Sequence, residues 1–149
     1  MVTRKALQWY WRMTRGLTVG VRGVVIDDQD RVLLIRHTYR KGWYFPGGGV
    51  EKAEAAITSV QRELEEEAGV VCESLPRLFG IYTNFASFPG DHVVLYIIDA
   101  WQQPTPPAPN YEIAEHGFFP CNALPTGVAR SVPRRLAEIR DGALPSLDW

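Results

Sequence analysis

Apolar residues along the chain follow two rhythms. Over residues 17–27 the β-branched Val19, Val21, Val24, Val25 and Ile26 crowd together, and Asp27-Asp28-Gln29-Asp30 closes the run with turn formers. Residues 31–37 carry Val32, Leu33, Leu34 and Ile35, so the two segments are expected to form a hairpin. The next stretch, to Val50, holds Arg36, His37, Arg40, Lys41, Trp43-Tyr44-Phe45-Pro46 and Gly47-Gly48-Gly49, which fits neither rhythm and predicts a structured loop. Over residues 54–68 the period lengthens. Ile57, Val60, Leu64 and Ala68 recur at helical spacing and Gly69 is placed to stop them, which predicts one helix of about four turns.

The second half reads as mostly extended. Runs at residues 75–82 and 92–101 are strand-like and are separated by a loop with the Pro89-Gly90 turn. Pro104, Pro106, Pro107 and Pro109 mark a loop at residues 102–110; Phe118-Phe119 opens a short strand, and a second helix follows Ser131 over residues 132–139. No repeat or linker is visible, and the strands flanking a helix argue for one domain over residues 1–149, of α/β (α+β) class, layered around a central sheet.

Composition narrows the function little. A chain of 149 residues that is 46% hydrophobic can bury a sizeable core, and a formal net charge of -1 gives no field that would gather a polyanion. Cys72 and Cys121 lie far apart without metal-type spacing and read as reduced thiols of a cytoplasmic protein. The apolar patch Leu7, Trp9, Tyr10 and Trp11 is interrupted by Lys5, Gln8 and Arg12, so it is neither a signal peptide nor a membrane span, and no membrane partner is expected.

The informative anomaly is the end of the helix. Glu63, Glu65, Glu66 and Glu67 crowd the last turn before Gly69, where carboxylates oppose the helix dipole. The like-charged pair Glu63 and Glu67, at i and i+4, costs a further 0.2–0.5 kcal/mol, roughly. Counting about 100° per residue, Glu63 and Glu67 project together with Glu66 on their side, whereas Glu65 points away. Three such carboxylates can converge on a hard divalent cation, and oxygen ligands suit magnesium, with manganese able to substitute.

Gly48, Glu54, Arg62-Glu63-Leu64, Glu66-Glu67 and Gly69-Val70 together match, position by position, the pattern G-x5-E-x7-R-E-U-x-E-E-x-G-U, in which U is a bulky aliphatic residue. This is the Nudix box, and the chain resembles the Nudix hydrolases over most of its length. The resemblance implies an α/β/α sandwich with a mixed central sheet, the box forming loop, helix and loop. It implies magnesium or manganese held by Glu63 and Glu67, usually with Glu66 and with a backbone carbonyl near Gly47 or Gly48. Arg62 would orient Glu66 or Glu54. The implied reaction is attack of water on a pyrophosphate linkage in a nucleoside diphosphate derivative, with a further acid taken from a later loop. For that role Glu112 is the first candidate and Glu115 its rival.

Substrate phosphates need cationic partners, and Arg22, Arg36, His37, Arg40 and Lys41 stand near the box. Tyr82, Phe85 and Phe88 are candidates for stacking a base, while Trp43 and Phe45 read as anchors of the loop. The expected partner is a small nucleotide; nucleic acid is not expected except as an RNA 5′ end, and a homodimer involving Trp9 and Trp11 is left open. ADP-ribose-like sugars, oxidised nucleoside triphosphates and dinucleoside polyphosphates are equally compatible with the box. The competing class is a non-catalytic Nudix-like nucleotide-binding regulator.

Overall fold

The computed structural model describes residues 4–149. Helix α1 (Arg4–Thr14) leads into strands β1 (Thr18–Val25) and β2 (Arg31–His37), then α2 (Ala56–Ala68), β3 (Val71–Cys72), β4 (Arg77–Thr83), β5 (Asp91–Ile98), β6 (Trp101–Gln102), β7 (Ile113–Pro120) and α3 (Ser131–Asp141). A mixed sheet of order β1-β5-β4 pairs β1 with β5 in parallel and β5 with β4 antiparallel. β2 and β7 form an antiparallel ladder, and β3 pairs with β6.

Period-2 alternation sends successive side chains of the strands into two cores. Val21 and Val25 of β1, Leu33 of β2, and Val94, Tyr96 and Ile98 of β5 meet Val60, Leu64 and Ala68 of α2. Val24, Val32, Leu34 and Leu95, displaced by one residue, meet Trp43, Phe45, Tyr82 and the α3 residues Val132 and Leu136. Sheet strands thus lie between α2 and α3, which is the layered α/β/α arrangement expected. Gly23 lets α2 pack closely where it crosses β1, since a Cβ there would stand 3.1 Å from the Leu64 methyls. Leu64 is fully buried, a change worth about 1.5–3 kcal/mol for such a side chain.

Several expectations need correction. The hairpin of β1 and β2 is reduced to its turn and one bridge, Ile26 with Val32; beyond it the strands diverge because β1 pairs with β5 and β2 with β7. The turn itself is held by Asp27, whose carboxylate accepts the Gln29 and Arg31 N–H groups at 3.0 and 2.9 Å. Phe118-Phe119 ends a strand that begins at Ile113, since cross-strand partners on β2 extend the pairing from Arg31 to His37. Helix α2 begins two residues later than its apolar spacing suggests, leaving Glu54 outside it, and Gly69 ends it in the left-handed conformation at φ 64°. Helix α1 was legible only as an apolar patch.

Candidate active site

The glycine loop crosses β1 and fixes the carboxylates of α2. Val21 N–H donates to the Gly48 carbonyl at 2.8 Å and Val50 N–H to the Val19 carbonyl at 2.9 Å, so the loop runs alongside the strand. At Gly47, with φ 148°, an added Cβ would collide with the Val21 carbonyl; at Gly48 it would collide with the Glu63 carboxylate. Gly47 is therefore where the loop presses on β1, and Gly48 where it presses on the Glu63 side chain of α2. Gly47 N–H donates to Glu67 Oε2 at 2.7 Å, and the other oxygen of this buried carboxylate stands 3.5 Å from His37 Nε2.

Arg62 gathers the other box carboxylates. Its Nε and Nη2 donate to the two oxygens of Glu54 at 2.8 and 3.1 Å, and Nη1 reaches Glu63 at 2.8 Å and Glu66 at 3.2 Å. This fork draws the Glu54 carboxyl down to a pKa of about 2, helped by the Glu51 N–H, and raises the proton affinity of Arg62 itself. Glu63 moves the opposite way. Burial pushes its carboxyl above the ordinary range, the neighbouring Glu67 adds to the rise, and Arg62 only partly opposes it.

A cleft of about 410 Å³ opens over this arrangement, lined by Gly47, Gly48, Glu63 and Glu67, by Arg22 and Asp91 of β1 and β5, and by His37, Tyr39, Arg40 and Glu112. Arg22 donates from Nη1 to its neighbour's carbonyl, that of Val21, at 2.7 Å; burial lowers its proton affinity while Glu67 raises it. Glu112 is delivered by a loop that Asn110 pins, its side-chain oxygen accepting the N–H groups of Glu112 and Ile113 at 2.9 and 2.8 Å. Thr38 N–H donates to the Glu112 carbonyl at 2.9 Å, and Ile113 is buried just beyond. Tyr39, close by, has its phenol pushed up by burial and then by Glu112 and Glu67.

Some expected site residues lie elsewhere. The side chain of Glu66 is 59% exposed and turned to Arg62, so the three box carboxylates do not converge, and among the described residues no three acidic, histidine or cysteine side chains form a ready metal cluster. Glu115 sits on β7 and pairs across the strands with Arg36 at 2.6 Å, which keeps both out of the cleft. Tyr82 is fully buried, donates to Glu138 at 2.9 Å and meets Trp149 edge-on, so it serves the core and cannot stack a base. Phe85 is exposed with its ring edge-on to His92 and lines no part of the cleft.

Other groups at the site were not singled out from the sequence. Asp91 lines the cleft while accepting Thr18 Oγ1 at 2.7 Å and Asn84 Nδ2 at 2.8 Å. Arg22, Arg40 and Asp91 also line an adjoining groove of about 620 Å³ that continues to Arg130 and Arg134 at the start of α3. His37 was visible as one of several cations; the alternation that exposes Arg36 and buries His37 on β2 was the signal that would have separated it. The α3 arginines carried no signal, because their approach to β1 is set by tertiary folding.

Comparison with known proteins identifies the family and the fold. The 8-oxo-dGDP phosphatase NUDT18 of Mus musculus is 36% identical over 70 residues, which cover 45% of this chain and 22% of that protein. The uncharacterized Nudix hydrolase YvcI of Bacillus subtilis is 39% identical over 74 residues, covering 50% and 46%. The chain thus spans at most about half the length of these relatives. Among solved structures, the MutT Nudix hydrolase of Burkholderia pseudomallei superposes with a TM-score of 0.71 at 24% identity, covering 83% of this chain and 98% of that one. An ADP-ribose pyrophosphatase of Streptococcus suis gives 0.65 at 20% identity, covering 89% and 97%. The family description NUDIX domain matches residues 16–140, and the chain belongs to the Nudix hydrolase family.

Proposed function

We propose that the protein is a magnesium-dependent pyrophosphohydrolase acting on a nucleoside diphosphate linked to another moiety. The observation that carries this reading is the half-buried Glu63 and buried Glu67 pair, held by the glycine loop at the helix end least favourable to it and open to a cleft that also holds Arg22 and Arg40. The donor chemistry suits a hard divalent ion: Glu63, Glu67 and Glu112 line one cleft with the Gly47-Gly48 loop, and a bound ion would draw these oxygen donors together from their metal-free positions. Manganese, with similar ligand preference, is expected to substitute at least partly. Such an ion would lower the pKa of bound water and neutralise phosphoryl charge.

The chain's own residues supply the rest. Arg22 and Arg40 stand where the cleft meets the adjoining groove and hold phosphate oxygens, with Arg130 and Arg134 placed to meet the remainder of the substrate. Arg62 keeps Glu63 oriented while Glu54 and Glu66 share its charge. Glu112, on its pinned loop, assists the metal or the attacking water. Oxygen of water forms a new bond to phosphorus, the bridging P–O bond breaks, and the water proton passes to a carboxylate.

The test is a phosphate-release screen over ADP-ribose, 8-oxo-dGDP, nucleoside triphosphates, dinucleoside polyphosphates and 5′-phosphorylated RNA, with and without magnesium. These include substrates named for relatives, among them an RNA pyrophosphohydrolase of Legionella pneumophila that is 39% identical over 54 residues, 36% of this chain and 30% of that protein. Magnesium-dependent turnover of at least one compound is expected; nucleotide binding without turnover would favour a non-catalytic regulator. In the same assay Glu112→Gln should lose at least about tenfold in turnover, roughly 1.4 kcal/mol in the barrier, with Glu115→Gln unchanged. The reverse pattern would transfer the role to Glu115.

A further inference from the structure

Helix α1 lies before the segment that matches the family and takes no part in the cleft. None of its residues is buried, although Trp9, Tyr10 and Met13 are 67%, 57% and 69% exposed and Leu7 and Trp11 are exposed as well. The side chains are sorted by face. At about 100° per residue, Arg4, Lys5, Gln8 and Arg12 fall within a sector of about 100°, and Leu7, Trp9, Tyr10, Trp11 and Met13 occupy the opposite arc of about 200°. Thr14, on the apolar arc, turns its hydroxyl back to the Tyr10 carbonyl at 2.9 Å.

Charge says what covers this face. The chain's net charge is -1, yet no Asp or Glu precedes Asp27, while Arg4, Lys5, Arg12 and Arg15 all lie on α1 or immediately after it. A basic polar sector beside an arc rich in Trp and Tyr is the composition of a helix lying in a lipid interface, where amphipathic rings sit at headgroup depth and cations meet anionic headgroups. A second copy fits less well. Two antiparallel α1 helices in a two-fold contact would bring Arg4 and Lys5 of one toward Arg12 and Arg15 of the other, with no acidic residue on either helix.

We propose that α1 is an interfacial anchor that docks the protein on an anionic lipid surface. No helix among the described residues is long and apolar enough to cross a membrane, so the contact proposed is interfacial, a step beyond the sequence-based expectation of no membrane partner. Only residues 15–17 separate α1 from β1, whose first residues Thr18, Val19 and Gly20 line the cleft, so docking holds the cleft mouth beside the lipid.

The test is co-sedimentation of the full chain with vesicles of phosphatidylcholine alone or mixed with phosphatidylglycerol, with sedimentation velocity of the chain by itself. Partitioning at least about tenfold stronger onto the anionic vesicles is expected, weakening as salt is raised. Neutralising Arg4→Gln, Lys5→Gln and Arg12→Gln together should weaken it by on the order of a hundredfold. Tyr10→Ser with Met13→Ser should abolish it, and because none of these residues is buried, circular dichroism should show the fold retained. Equal binding to both vesicle types, or none to either, overturns the proposal. A salt-resistant dimer that Tyr10→Ser with Met13→Ser dissociates, without vesicle binding, assigns the face to a second copy instead.

Discussion

Replacing Glu67 by Gln removes one charge and almost no volume, which makes it the sharpest probe of the carboxylate pair. The side chain is 5% exposed, accepts the Gly47 N–H at 2.7 Å and stands 3.5 Å from His37. A glutamine oxygen can keep the Gly47 hydrogen bond but loses its charge assistance, a cost of about 1 kcal/mol. Against this, the repulsion from Glu63 disappears, worth about 0.2–0.5 kcal/mol on an exposed helix and more where water is excluded. The two nearly cancel, so metal-free stability should change by less than about 1 kcal/mol in either direction. Activity has no such compensation. If Glu67 holds the metal as proposed, its loss should lower kcat by at least about a hundredfold, or roughly 2.7 kcal/mol of barrier, whereas Glu65→Gln, on the exposed face of α2, should lie within about twofold of the parent. The assays are urea unfolding in chelator and turnover across a magnesium titration. Equal losses for the two variants would refute the assignment of faces, and a collapse in the urea midpoint of Glu67→Gln would show that its activity loss was structural.

Gly47→Ala should destabilise the chain by at least about 2 kcal/mol in urea unfolding, because its Cβ would meet the Val21 carbonyl at a φ that side chains rarely adopt. Glu54, with its pKa depressed from 4.5 to about 2 by Arg62, contributes stability that is present above about pH 4.5 and lost as pH falls toward 2; Glu54→Gln should therefore narrow its stability deficit to the parent over that window in acid titrations followed by circular dichroism. Tyr82→Phe should cost about 0.5–1.5 kcal/mol through the lost Glu138 bond and leave KM unchanged, whereas a raised KM would return Tyr82 to the substrate. Magnesium at a hundred times its dissociation constant should stabilise the parent by about 2.7 kcal/mol, read as a rise in Tm, and should leave the double variant Glu63→Gln, Glu67→Gln unmoved.

Local pattern was enough for the elements nearest the chemistry. Spacing of Ile57, Val60, Leu64 and Ala68 located α2, Gly69 located its end, and the projection of Glu63 and Glu67 placed both at the cleft. What failed depended on which strand meets which. β1 and β2 looked like a hairpin because a turn is a local signal, whereas the parallel β1–β5 pairing joins residues far apart in sequence. Tyr82 failed for the same reason: an aromatic on a strand reads alike toward substrate or core until α3 and Trp149 close over it. Glu66 shared the helical face of its neighbours, yet Arg62 claims it on the outside.

The distribution of counter-charge explains why this box needs so many carboxylates to hold so few in place. Arg62 is one cation shared by Glu54, Glu63 and Glu66, and its shortest bonds go to Glu54 and Glu63. Glu54 therefore acts as the weight that keeps the guanidinium over the start of α2, where its charge touches Glu63 without neutralising it, and the Glu63 pKa stays raised. Glu67 receives a backbone N–H and a histidine instead of an arginine, so its charge too is oriented more than it is cancelled. A further cationic partner for either would make a more stable apo protein and, under the proposed metal role, a poorer cation site, because a divalent ion would have more counter-charge to displace than the shared Arg62. Under the proposed metal role, residual repulsion between Glu63 and Glu67 would be relieved by a divalent ion, which favours its binding.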